Sequence, residues 1–154
     1  DEARAKGAHP ILVTPTSRRR FDENGKSVNT HGDYPDAVRW VAAKENVPLI
    51  ELNGMTAILF NALGVDNSTK AFVHYPAGTF PGQTRTLKDN THFSTYGAYE
   101  VSKCVIEGMK KADLEIVKYL RPDYSGFDPA QPDSFESFKW NLGSFTENEK
   151  PDGN

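Results

Sequence analysis

The stretch Asp89-Asn90-Thr91-His92 places a carboxylate three residues before an imidazole. Such a pair is half of a hydrolytic relay. A serine hydroxyl is a weak nucleophile until a neutral imidazole takes its proton, and the imidazole needs a third group to hold it in one tautomer. On a loop just ahead of a helix, this spacing lets Asp89 fold back onto one ring nitrogen of His92 while the other nitrogen faces a cleft. The same two residues also fit a plain helix start, with Asp and His as caps, and the tetrapeptide leaves both readings open.

The wider string from Asp89 to Ala98, Asp-Asn-Thr-His-Phe-Ser-Thr-Tyr-Gly-Ala, resembles the last signature block of the SGNH (GDSL-type) esterases. Val13-Thr14-Pro15, Arg18-Arg19-Arg20-Phe21 and His31-Gly32-Asp33-Tyr34-Pro35 are similar to the rhamnogalacturonan acetylesterase branch of that superfamily. The similarity runs from about Gly7 to Lys111. It implies an α/β fold, part of a flavodoxin-like three-layer sandwich with a parallel sheet, whose first strands are missing from this chain. It implies a serine carbohydrate esterase that removes O-acetyl groups from a pectic polysaccharide or its oligosaccharides, with Asp89 and His92 as the acid and base of the triad. It implies no cofactor and no metal, and an extracellular or periplasmic location. His31 and Arg20 are the candidate substrate-binding residues, His31 because it can line the same cleft as His92.

The sequence departs from the family pattern at two points. The superfamily's nucleophile sits in a Gly-Asp-Ser block near the start of the protein, and an Asn in a Gly-x-Asn-Asp block serves the oxyanion hole; neither block occurs here. Pro132-Asp133-Ser134 lacks the Gly and follows the His, and Gly64-Val65-Asp66-Asn67 has the letters in another order. The expectation is therefore a carboxyl-terminal portion whose serine comes from an upstream segment, and which is inactive by itself. A non-catalytic carbohydrate-binding or interaction module that kept the scaffold is the alternative, supported by the missing nucleophile and an aromatic tail.

The elements that must position the pair can be read from periodicity. Asp1 to Gly7 reads as the end of a helix closed by Gly7, without the apolar core of a signal peptide. Pro10 to Pro15 and Val47 to Leu52 are short apolar runs, the pattern of strands buried on both faces. Between them Asp33 is placed to cap a helix from Pro35 to Asn46, with Val38, Val41 and Ala42 at helical spacing. Two such strands joined by a helix form a parallel βαβ unit. A further helix begins at Asn53 or Thr56, carries Met55, Ile58, Leu59, Ala62 and Leu63, and stops at Gly64. Lys70 to Tyr75 is a short edge strand or an extended loop, and Pro76 to Lys88 is loop. The helix after His92 is capped by Ser94 and shows Ala98, Val101, Val105, Met109 and Ala112 on one stripe. Two parallel strands do not make a stable open sheet, so either further strands come from elsewhere or the count is too low.

Residues 1–120 read as the hydrolase portion and residues 121–154 as a Pro- and aromatic-rich tail. That tail contains Phe127, Phe135, Phe138, Trp140 and Phe145, enough rings to pin it to the domain, with Trp140 as a candidate sugar-stacking platform. At 154 residues, with 37% hydrophobic and 25% charged residues, the composition is that of one ordinary globular unit. The net charge of -3 leaves no electrostatic footprint for nucleic acid, and no apolar run reaches membrane-spanning length. His9, His31, His74 and His92 lack metal-ligand spacing, and Cys104 stands alone inside an amphipathic helix, where it reads as a small buried hydrophobe.

Overall fold

The computed structural model describes residues 2 to 139. Trp140 and Phe145 lie outside the described residues. The first element, α1 (Glu2–Ala5), ends at Gly7, and the amide of Ala8 reaches back to the carbonyl of Ala3 at 3.0 Å. Strand β1 (Leu12–Val13) leads through a long loop to α2 (Tyr34–Lys44) and then β2 (Leu49–Ile50). The two strands pair in parallel, Leu12 with Leu49 and Val13 with Ile50, so the βαβ unit forms.

Both strands are shorter than their apolar runs. Pro10, Pro15 and Pro48 bring no amide to a ladder, and pairing exists on one side only, so few rungs can form. Nor are both faces covered: Ile11 is 37% and Val13 41% exposed. The described residues place no second layer over that surface. Asp33 precedes α2, but its side chain makes no capping bond; Pro35 in the first turn fixes the helical backbone without one.

Helix α3 (Leu52–Asn67) starts earlier than periodicity indicates because Glu51 caps it, its carboxylate accepting from the amide of Gly54 at 3.3 Å. At Gly64 the backbone turns to φ 73°, ψ 179°, a conformation open to glycine, and the helical run is kinked there. A 3-10 turn, Ser68–Ala71, comes next.

Strands β3 (Phe72–Tyr75) and β4 (Leu87–Phe93) form a separate antiparallel pair. Two expectations are corrected here. Leu87 and Lys88 are strand residues opposite Tyr75 and His74 and not loop, and the extra strands do not extend the parallel sheet. The architecture is thus mixed α/β with a two-stranded parallel sheet beside an antiparallel hairpin.

Helix α4 (Thr95–Lys111) is capped by Ser94, whose hydroxyl oxygen accepts from Gly97 at 3.1 Å. Its buried face is rotated from the expected stripe. Ala98 is exposed, whereas Gly97, Glu100, Val101, Lys103, Cys104 and Gly108 are buried. The burial of Lys103 is explained by residues 127 to 133, which lay the Phe127 ring 4.1 Å from its ammonium and the Asp133 carboxylate 2.7 Å away. Glu100, fully buried, completes the cluster at 2.8 Å from Lys103.

The core joins β2, α3, β3 and α4. Ile50, Leu59, Phe60 and Phe72 are at most 2% exposed, and the rings of Phe60, Phe72 and Phe93 stack in tilted pairs with centroids 5.0 to 6.3 Å apart. Cys104 is fully buried against this core, and desolvation pushes its thiol up to about 12. A further 3-10 turn, Glu115–Tyr119, precedes the segment in which Phe135 and Phe138 meet Tyr96 edge-on, at 5.3 and 5.5 Å.

Candidate functional site

Antiparallel pairing of β3 with β4 holds at Phe72–Phe93 and again at His74–Lys88. Between these pairs Val73 alone stands opposite the whole run from Asp89 to His92. The excess residues must leave the ladder, and they form a bulge that lifts their side chains away from the sheet. Asp89 and His92 are therefore carried by a strand irregularity rather than by the simple pre-helix loop that spacing suggested.

Asp89 organises the bulge from within. Its Oδ1 accepts the amides of Thr91 at 2.6 Å and His92 at 2.9 Å, and its Oδ2 lies 2.7 Å from Nδ1 of the His92 ring. These bonds hold the Asp89 carboxyl down at about 2, the amide of His92 contributing most, then its ring, then the amide of Thr91. A carboxylate only accepts hydrogen bonds, so the neutral ring must carry its proton on Nδ1. Nε2 is left as a lone-pair nitrogen, and the side chain is 78% exposed with no hydrogen bond to Nε2 among the described residues. The arrangement is an oriented imidazole base presented outward.

Asn90, the next residue, ties the bulge to the rest of the chain. Its backbone carbonyl accepts from the amide of Arg19 at 2.9 Å, and its Oδ1 accepts from Nη1 of Arg19 at 3.1 Å. Nε2 of His74 is 2.8 Å from the same Oδ1, which places a proton on that nitrogen. The other guanidinium nitrogens of Arg19 donate to the Val65 carbonyl at 2.6 Å and the Ser68 hydroxyl at 3.0 Å. One arginine thus joins the loop after β1, the end of α3 and the bulge. In the sequence Arg19 stands out only as one member of the Arg18-Arg19-Arg20-Phe21 string, with nothing local to mark it as the residue that reaches the bulge.

Arg20 itself is exposed, and its guanidinium makes no hydrogen bond among the described residues. His31 is half-buried, its Nε2 donating to the Thr16 carbonyl at 2.8 Å. No hydrogen bond or ion pair among the described residues joins His31 or Arg20 to Asp89 or His92. Ser134 donates its hydroxyl to Glu136 at 2.8 Å, and Asp133 is engaged with Lys103. That serine and acid serve the packing of residues 127 to 138.

A polar network missed at the sequence level anchors the carboxyl ends of β1 and β2. Thr14, fully buried, accepts the amide of Asn53 at 2.8 Å and donates to Glu51 at 3.2 Å. Glu51 receives a two-pronged contact from Arg39 of α2 at 2.7 and 2.6 Å, which lowers its carboxyl from the ordinary value. Thr56, also fully buried, accepts the amide of Ser17 at 2.9 Å. These bonds fix the loop after β1, from which Arg19 reaches the bulge.

An open groove of about 620 Å³ lies along the hairpin beside the pair, lined by Val73, residues 85 to 88, Asp89 and Asn90. Among the described residues no group of three or more His, Cys, Asp or Glu side chains is arranged to hold a metal ion, and no helix is long and apolar enough to cross a membrane.

Comparison with known proteins adds to this geometry. No family model matches the chain. It is 44% identical over 120 residues to the rhamnogalacturonan acetylesterase RhgT of Bacillus subtilis, an alignment covering 78% of this chain and 52% of that protein. It is 35% identical over 118 residues to the probable rhamnogalacturonan acetylesterase YesY of the same organism, covering 77% and 50%. The chain spans about half the length of these curated relatives, and the matched half is the carboxyl-terminal one. The crystal structure of protein YxiM from Bacillus subtilis aligns with a TM-score of 0.59 at 23% identity, over 74% of this chain and 29% of that one, and shares the fold.

Proposed function

We propose that this chain, a homologue of the carboxyl-terminal half of the rhamnogalacturonan acetylesterases, supplies the acid and base of a carbohydrate O-acetylesterase acting on an acetylated pectic polysaccharide. The observation that carries the reading is the Asp89–His92 contact at 2.7 Å on a ring left open to solvent at its other nitrogen.

In the reaction, Nε2 of His92 takes the proton of a serine hydroxyl as its oxygen attacks the acetyl carbonyl. Asp89 stabilises the imidazolium so formed. When the tetrahedral intermediate collapses, the bond to the sugar oxygen breaks and His92 returns the proton to that oxygen, leaving an acetyl-serine. Water then repeats the cycle, His92 accepting its proton and passing it back to serine as acetate departs. The serine and the oxyanion donors belong, in this reading, to an upstream segment packed beside the bulge. In this reading His31 and Arg20 are sugar contacts supplied by the loop after β1, which His31 fastens at Thr16. A polymeric substrate places the enzyme outside the cytoplasm.

Acetate release from acetylated rhamnogalacturonan by the parent enzyme tests this. His92→Ala should lower turnover on the order of 10,000-fold or more, and Asp89→Asn by about the same factor, because the amide leaves the ring in the wrong tautomer. Turnover that survives both substitutions would remove the pair from the mechanism and leave a glycan-binding module as the reading.

A further inference from the structure

The bulge that carries His92 is tied together from within, but those ties do not place it. The bonds from Asp89 to the amides of Thr91 and His92 and to the His92 ring all lie inside the run, so they fix its shape and leave its position open. The residues in excess of Val73 have no rung in the β3–β4 ladder to hold them. Outside the hairpin, every hydrogen bond that the described residues make to the run from Asp89 to His92 comes from Arg19.

We propose that Arg19 is a positioning residue for the esterase reaction, acting through Asn90 to set where Nε2 of His92 stands against the body of the chain. The inference rests on the esterase reading, since it concerns the base of that reaction. Both ends of the strut are built. At the far end the guanidinium donates through Nη2 to the Val65 carbonyl at 2.6 Å and through Nε to the Ser68 hydroxyl at 3.0 Å. Val65 lies in the last turn of α3, where carbonyls lack an intrahelical partner and a cation is favoured. Ser68, fully buried, donates its own proton to the same Val65 oxygen at 3.0 Å, which leaves its lone pairs to Arg19. At the near end Nη1 donates to Oδ1 of Asn90 at 3.1 Å, while the Arg19 amide donates to the Asn90 carbonyl at 2.9 Å. Nε2 of His74 meets the same Oδ1 at 2.8 Å, so the Asn90 side chain is held from β3 and from Arg19 together. All the acceptors of this guanidinium are neutral oxygens, met by a rigid planar fork that the single ammonium of a lysine does not reproduce. The demand for precision is steep. A base must stand within hydrogen-bond reach of the serine proton, and a misplacement of about 1 Å can cost on the order of 100-fold in rate.

Hydrolysis of 4-nitrophenyl acetate by the parent enzyme, expressed per serine labelled when fluorophosphonate reaction is carried to completion, tests the assignment. Arg19→Met keeps the stem and removes the donors; kcat per labelled serine should fall about 10- to 100-fold with KM changed by less than about threefold. Asn90→Ala should fall by a similar factor, and the pair of substitutions should lose at most about twofold more than the worse single one, because the two side chains act as one unit. In enzyme carrying nitrogen-labelled histidine, the His92 ring should keep its proton on Nδ1 in both variants, since Asp89 holds it without Arg19. A purely structural role would lower the labelled fraction and leave the rate per serine as it was. That result, losses that multiply in the double variant, a raised KM at unchanged kcat, or loss of the Nδ1 proton would overturn the proposal. Asn90 is exposed, so Asn90→Ala decides the matter even where Arg19→Met does not fold. Turnover that survives His92→Ala counts against the esterase reading; an inactive His92→Ala beside a fully active Asn90→Ala counts against the positioning role alone.

Discussion

A solvent-exposed imidazole rotates and passes its proton between two nitrogens, and Asp89 removes both freedoms from His92. The carboxylate is itself fixed by the amides of Thr91 and His92, so residue and partner define each other within one turn of chain. The pH dependence has a definite sign. The folded-state pKa of Asp89 is depressed from an ordinary 3.8 to about 2, so its bonds are complete above 3.8 and are lost as pH falls through about 2. The amide resonances of Thr91 and His92 should therefore move together with a midpoint near 2; a midpoint near 3.8 would mean that the bonds are not made in solution. The pairing was legible in the sequence because it is local. Asn90 and its clamp could not be read, since the partners Arg19 and His74 lie far away in the chain and obey no period.

At the scale of elements, the bulge is placed by the start of α4. Ser94 donates its hydroxyl to the Lys70 carbonyl at 2.6 Å, its amide donates to the Ala71 carbonyl at 3.1 Å, and its oxygen caps α4. Gly97 completes the contact: a Cβ there would lie 1.9 Å from that same Ala71 oxygen. The obstacle is backbone, so it yields only if α4 moves. Alanine gains roughly 1 kcal/mol in helix propensity, but overpacking costs typically about 1–3 kcal/mol and more where backbone must shift. Gly97→Ala should lower stability by about 2 kcal/mol, read as a lower urea midpoint; a raised midpoint would show that α4 does not approach Ala71 this closely. Gly64 kinks the helical run of α3, which continues to Asn67, instead of ending it, whereas the Ser94 cap was evident from residue type. The facing of α4 was not, because Lys103 and Glu100 are polar in sequence and buried in space by a segment some thirty residues downstream.

For the whole molecule, the parallel pair is the open question that function answers. β1 and β2 have no further strand beside them among the described residues, and Ile11, Val13 and Val41 stay 37 to 41% exposed. The βαβ unit was legible from two apolar runs about an amphipathic helix. The hairpin was not, since β4 alternates poorly and holds the polar bulge. These apolar side chains, on and beside β1 and on α2, are a surface that the proposed upstream half, with its added strands and its serine, would cover.

The most direct measurement of that claim is hydrolysis of 4-nitrophenyl acetate with and without the upstream half. By itself the chain should do no better than free imidazole and should take up no fluorophosphonate label. With the upstream half present, turnover and one labelled serine in that half should appear, and both should fall with His92→Ala. A burst of nitrophenol and stoichiometric labelling of the isolated chain would place the nucleophile within it and contradict the account.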